Sequence, residues 1–219
     1  MDQSVGSRCH DHVTGRQRPL FRGWLHAVAT PVFSAAGWLI AIAAQGVAAV
    51  ATVIFTVAIC LTMAISASYH LVAKTSRAQA YWRKADHAMI SLSIAGVATT
   101  LYLLAGDHGS RTLLIVSWLS AITGVALKLT RRGFHVASLA FLVTGVCALS
   151  ALPGLYRAGG SLAVVLVVTG GLTHLAGGLL FARKRLDFRP ALFGYHESWH
   201  AITIVGFGLH LAAVAALVL

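Results

Sequence analysis

The sequence predicts an all-α integral membrane protein: a seven-transmembrane helix bundle with its N-terminus cytoplasmic and its C-terminus outside. Three observations predict this. Hydrophobic residues make up 58% of the chain and charged ones only 11%, where a soluble domain carries about 25% charged residues. The apolar residues gather in seven segments, roughly 24–44, 47–70, 86–105, 111–128, 134–152, 160–182 and 196–219. Each is long enough as a helix to cross about 30 Å of hydrocarbon. Finally, fifteen of the 17 Lys and Arg residues fall on one side of the alternating connections, the asymmetry that places that side in the cytoplasm.

Each element follows in order. Residues 1–18, MDQSVGSRCHDHVTGRQR, form a polar stretch without the apolar core of a cleavable leader. They read as a disordered cytoplasmic tail in which His10 and His12 are solvated, and 19–219 reads as one membrane domain. The first apolar segment therefore stays in the bilayer, with Arg8, Arg16, Arg18 and Arg22 ahead of it. Span 2 runs down to a connection holding Lys74, Arg77, Arg83 and Lys84, from which span 3 returns. The opposite side receives only Arg111, beside a loop with His108, and Arg157. Span 4 is the shortest and meets Lys128, Arg131 and Arg132, with His135 at the headgroup boundary. Span 6 contains TGGLTHLAGG at 169–178, and such small residues suit close helix approach in lipid. Arg183, Lys184, Arg185 and Arg189 precede span 7. Trp24, Trp82 and Trp199 fall where interface anchors belong.

This placement accounts for the net charge of +11 through topology and anionic headgroups. Nucleic acid is not needed as a partner; membrane lipids are. Cys9, Cys60 and Cys147 are far apart and read as inert small residues.

Ionisable groups within spans are costly and mark function by default. Ser66 and His70 end span 2, Asp86 and His87 open span 3, and His196, Glu197 and His200 open span 7. The topology puts all of them at one depth, near the cytoplasmic face. His196 and His200 are i and i+4, so both rings leave one helical face. With His70 they supply three imidazoles and leave a fourth zinc position open, the pattern of a catalytic site. Asp86 could orient a water there or accept its proton, a role compatible with capping the start of span 3.

HESWH at 196–200 also fits the H-E-x-x-H pattern of soluble zinc proteases. That reading fails at the third ligand. Only nineteen residues follow His200, none of them acidic, and His210 does not have the metzincin spacing. Glu197 is read as a first-turn carboxylate facing headgroups rather than as a general base. His87 points about 100° away from Asp86 around the helix and is left out of the site. His26, His174 and His210 are read as satisfied structural histidines.

Three blocks, RPLFRGWLHAVATP, SASYHLVAKTSRAQAYWRKADHAMISLSIAG and FGYHESWHAITIVGFGLHLAAV, resemble the haemolysin-III-like bacterial branch of the progestin and adiponectin receptor family. The resemblance covers about 18–215 and implies a seven-helix fold with a cytoplasmic N-terminus. It implies zinc held by His70, His196 and His200, with Asp86 holding the metal's water and Ser66 supporting it. Many bacterial members carry a Glu and an Asn shortly before the first-span His. Here PLFRGWL precedes His26, so any role of those groups is open and His26 could fill part of it.

The function expected is that of a zinc-dependent hydrolase in the bacterial plasma membrane, acting on an amphiphilic, lipid-like amide or ester. The family's eukaryotic relatives are linked with ceramide-type hydrolysis. The alternatives are a pore-forming haemolysin, as the family name implies, and a receptor or sensor with structural zinc. Neither the substrate nor the oligomeric state is written in the sequence.

Overall fold

The computed structural model describes residues 19–106, 110–129 and 134–219. Residues 1–18 and His108 lie outside them. Seven α-helices occur among the described residues: α1 Trp24–Ala43, α2 Gly46–Leu71, α3 Ser76–Leu104, α4 Arg111–Leu129, α5 Phe134–Ala148, α6 Leu152–Ala182 and α7 Tyr195–Val218. A 3₁₀ turn, Leu149–Ala151, joins α5 to α6. The described residues form no strand beyond one isolated bridge between Arg189 and Phe193.

Six helices among the described residues are long and apolar enough to cross a membrane. One of the six is the run Leu139–Ala182, 44 residues, which the sequence pattern divides into two segments. As a helix it measures about 66 Å, twice the hydrocarbon thickness. It departs from helical geometry at Gly160, where φ is 65° and ψ −159°.

Helix α3 begins ten residues before the apolar segment that opens at Asp86. The Thr75 side chain caps it by accepting from the Ala78 amide at 3.2 Å. Asp86 therefore lies nearly three turns inside α3 and does not cap it, which removes the capping role considered for it.

Helix α1 packs between α7 and α2, α2 packs on α3, and α3 faces α4 and α5, while α6 lies along α7. The interior is filled by Phe55, Ile59 and Met63 of α2, Val97 and Leu101 of α3, and Phe207 and Val214 of α7. Leu39, Ile42, Leu119, Leu162 and Leu172 point outward, as side chains facing hydrocarbon do. Buried hydroxyls bind carbonyls: Thr52, Thr56 and Thr144 donate one turn back along their own helices. Thr100 also reaches the Ala51 carbonyl of α2 at 3.1 Å. In this way most of the midsection hydroxyls are satisfied without water, Ser91 Oγ being left without a partner among the described residues.

The α6–α7 seam is set by glycine. The His210 ring lies where a Cβ on Gly170 would stand, 2.8 Å from Nε2, and the His174 ring fills the same space over Gly206. The two imidazoles are nearly parallel, with centroids 5.6 Å apart. His174 Nδ1 bonds the Gly170 carbonyl at 2.9 Å, and His210 Nε2 bonds that of Val167 at 3.2 Å. The packing role expected of both histidines fits these contacts, but they are not fully satisfied: His174 Nε2 and His210 Nδ1 have no partner among the described residues. Gly206→Ala is expected to lower stability in detergent by about 1–3 kcal/mol through overpacking against His174, despite alanine's better helix propensity. Denaturant unfolding checks this, and pairing with His174→Ala should cancel most of the loss.

Candidate metal centre

The site forms where α2 ends and α7 begins. Gly23 precedes α1 with φ 86°, a left-handed conformation that glycine adopts without strain. A Cβ there would meet Cβ of His70 at 2.6 Å, so glycine lets the start of α1 press against the end of α2. The α6–α7 connection is tied to the same place. Leu20 and Phe21 amides donate to the Ala191 and Leu192 carbonyls at 3.1 and 3.2 Å. Ser198 Oγ donates to the Leu186 carbonyl at 2.7 Å.

His70, in the last turn of α2, meets His196 and His200 on the first turns of α7. One ligand atom from each lies within 4.8 Å of the others. His70 Nε2 and His196 Nε2 are 3.2 Å apart, and the rings of His196 and His200 have centroids 4.7 Å apart. Nitrogens bound tetrahedrally at about 2.0–2.1 Å from zinc stand about 3.3 Å from one another. The His70–His196 pair already has that separation. His200 is 3% exposed, and its Nε2 is buried with no hydrogen-bond partner among the described residues. A buried imidazole nitrogen left so is costly, and a cation supplies the missing partner. The residues fit a metal ion.

Ser66 stands one turn before His70 on α2 and is buried. Its hydroxyl lies near the Asp86 carboxylate. The two residues singled out beside the histidines are thus neighbours across the α2–α3 contact.

Two features differ from the sequence expectation. Glu197 does not face headgroups: it is 1% exposed, forms an ion pair with Arg22, and accepts from the Gly194 amide at 2.8 Å. His26 is not isolated packing. Its Nδ1 lies 2.8 Å from His200 Nδ1, and the two rings meet edge-on with centroids 4.0 Å apart. A signal for the ion pair was present in the sequence. Of the six acidic residues, only Asp86 and Glu197 fall inside apolar segments, and a carboxylate there needs a cation. Arg22, just ahead of span 1, stands at the matching depth.

The apolar helices define a multi-pass membrane protein, and its three-histidine cluster is one that could hold a metal ion. The family model described as haemolysin-III related matches residues 14–211, and the chain belongs to that family. It is similar to the hemolysin-3 homolog of Bacillus subtilis (strain 168), 28% identical over 125 residues. That match covers 55% of this chain and 55% of the relative, so it spans about half the length of each.

Arg22→Ala leaves the Glu197 carboxylate buried without its cation. Breaking such a pair costs about 3–5 kcal/mol, so a marked fall in unfolding midpoint is expected. Arg22→Ala combined with Glu197→Ala should recover part of that fall in the same assay.

Proposed function

We propose that this protein is a zinc-dependent hydrolase that cleaves an amide or ester of an amphiphilic, lipid-like molecule at the cytoplasmic face of a bacterial plasma membrane. The observation that carries this reading is the convergence of His70, His196 and His200, with His200 Nε2 unpartnered. Supporting it, an apolar groove of about 650 Å³ runs between α1 and α7, lined by Leu25, Val28, Ala29, Phe33 and Ile204 among others. Among the described residues no histidine lines it, but Leu25 and Ala29 neighbour His26 along α1 and Ile204 follows His200 by one turn, which sets the groove at the histidine end of α1 and α7.

In this reading the run 139–182 crosses twice, turning near Gly160, and the protein has seven spans. The connections rich in Lys and Arg face the cytoplasm, together with the histidine end of the bundle. His70, His196 and His200 hold zinc. Bound zinc supplies Lewis acidity and acidifies a water molecule. Asp86, held by the Ser66 hydroxyl, takes the proton from the attacking water on a carboxylate oxygen. It then returns that proton to the departing amine or alcohol. Ser66 keeps the carboxylate oriented for both transfers.

Turnover of lipid amides and esters by detergent-purified protein tests this, with zinc content measured alongside. His196→Ala should lose both zinc and turnover. Asp86→Asn should keep its zinc while kcat falls about 10²–10⁴-fold, the usual contribution of a positioned acid–base group. Equal turnover by wild type and His196→Ala would end the hydrolase reading. Liposome leakage that survives metal removal would instead favour a pore-forming protein.

A further inference from the structure

The contact between His26 and His200 has a direction that can be worked out from the protons. Thr203 Oγ1 donates its only proton to the His200 carbonyl at 2.8 Å. The same oxygen lies 3.3 Å from His26 Nε2. With its hydrogen already engaged, the hydroxyl can only accept there, so His26 carries its proton on Nε2. A neutral imidazole has one N–H and one lone pair. His26 Nδ1 is then an acceptor, and it is the nearer of the two His26 nitrogens to His200 Nδ1, at 2.8 Å against 3.1 Å for Nε2. With the shorter contact as the hydrogen bond, His200 donates from Nδ1. Its own lone pair then sits on Nε2, the buried atom without a partner.

We infer that Thr203 and His26 form a hydrogen-bond chain that fixes the His200 tautomer, leaving Nε2 as the atom His200 offers to a metal. The inference rests on the reading of His70, His196 and His200 as a metal centre. It assigns His26 and Thr203 as positioning residues, neither of them a ligand. Metal-bound histidines are commonly held through their second ring nitrogen by a carboxylate, a carbonyl or water. Here a second imidazole does that, oriented in turn by a hydroxyl. The arrangement places the proton relay entirely within α1 and α7, because His26 lies on α1 and both Thr203 and His200 lie on α7. If Thr203 loses its hydroxyl, the acceptor left to His26 Nε2–H is His200 Nδ1, 3.1 Å away, and donating there drives the His200 proton to Nε2. Moving that proton to Nδ1 would point an N–H at His200 and push the His200 proton onto Nε2, blocking the ligand atom.

The test is zinc affinity, measured by competition with a chelator, in the full-length protein and in Thr203→Val, Thr203→Ser and His26→Leu. Valine keeps the shape of threonine but removes the hydroxyl; serine keeps the hydroxyl. Thr203→Val and His26→Leu are expected to lose zinc affinity about 10–100-fold, as loss of an outer partner does, and Thr203→Ser to stay near wild type. Should the valine variant fail to fold, the tautomer is read directly in metal-free wild type by nitrogen NMR of the imidazoles. A proton on His200 Nδ1 supports the inference, and a proton on Nε2 overturns it. Wild-type affinity in Thr203→Val overturns this chain alone and leaves the metal centre standing. A wild-type protein with no zinc affinity overturns both.

Discussion

A neutral imidazole in a helix bundle surrounded by hydrocarbon brings one donor and one acceptor that water cannot satisfy. Among the described residues the buried histidines fall into two groups, and what surrounds each group separates packing from chemistry. His174 Nε2, His210 Nδ1 and His200 Nε2 all lack a partner, but only His200 has two further imidazoles converging on it. His174 and His210 each place one nitrogen on a backbone carbonyl of α6 and lay their rings over glycines of the facing helix. They are instruments of close approach. His70, His196, His200 and His26 instead turn toward one another, and one nitrogen of that group, His200 Nε2, ends without a partner. The two groups share α7, with His200 and His210 about 15 Å apart along its axis.

The end of the bundle that holds the second group is also where the chain is most heavily tied. Gly23 lets α1 start against His70, the Arg22–Glu197 pair joins the approach to α1 to the first turn of α7, and the 183–194 connection is hydrogen-bonded onto the segment before α1. These contacts hold α1, α2 and α7 in register at the level of the histidines. The Thr and Ser hydroxyls of the midsection mostly bind helix carbonyls and add no further fixed charges. Polarity and cross-linking are concentrated in one place, as a site requires when its ligands come from separate helices.

Much of this was legible in the sequence. Apolar length and composition gave the helices, and the i, i+4 spacing of His196 and His200, with His70 at the same depth, named the cluster. The family resemblance seen in the SASYH and HESWH blocks agrees with the haemolysin-III related match over 14–211. What stayed hidden depended on three-dimensional pairing or on local capping. Glu197 looked solvent-facing because first-turn carboxylates often are; its place in an apolar segment called for a cation, but only the folded chain identifies that cation as Arg22, 175 residues away. His26 looked like packing because nothing in its local sequence points to His200. Asp86 looked like a helix start because the apolar segment begins there, yet the Thr75 cap lets α3 begin ten residues earlier. The division of 139–182 into two segments rests on length and on Gly160, a position that local sequence marks only weakly.

X-ray absorption at the zinc edge, on detergent-purified protein loaded with one equivalent of metal, addresses the convergence of imidazoles most directly. Three imidazole nitrogens at about 2.0–2.1 Å, with a further light ligand and no sulfur, are the predicted shell. A sulfur shell near 2.3 Å, or a shell of oxygens without imidazole scattering, would contradict a centre built from His70, His196 and His200.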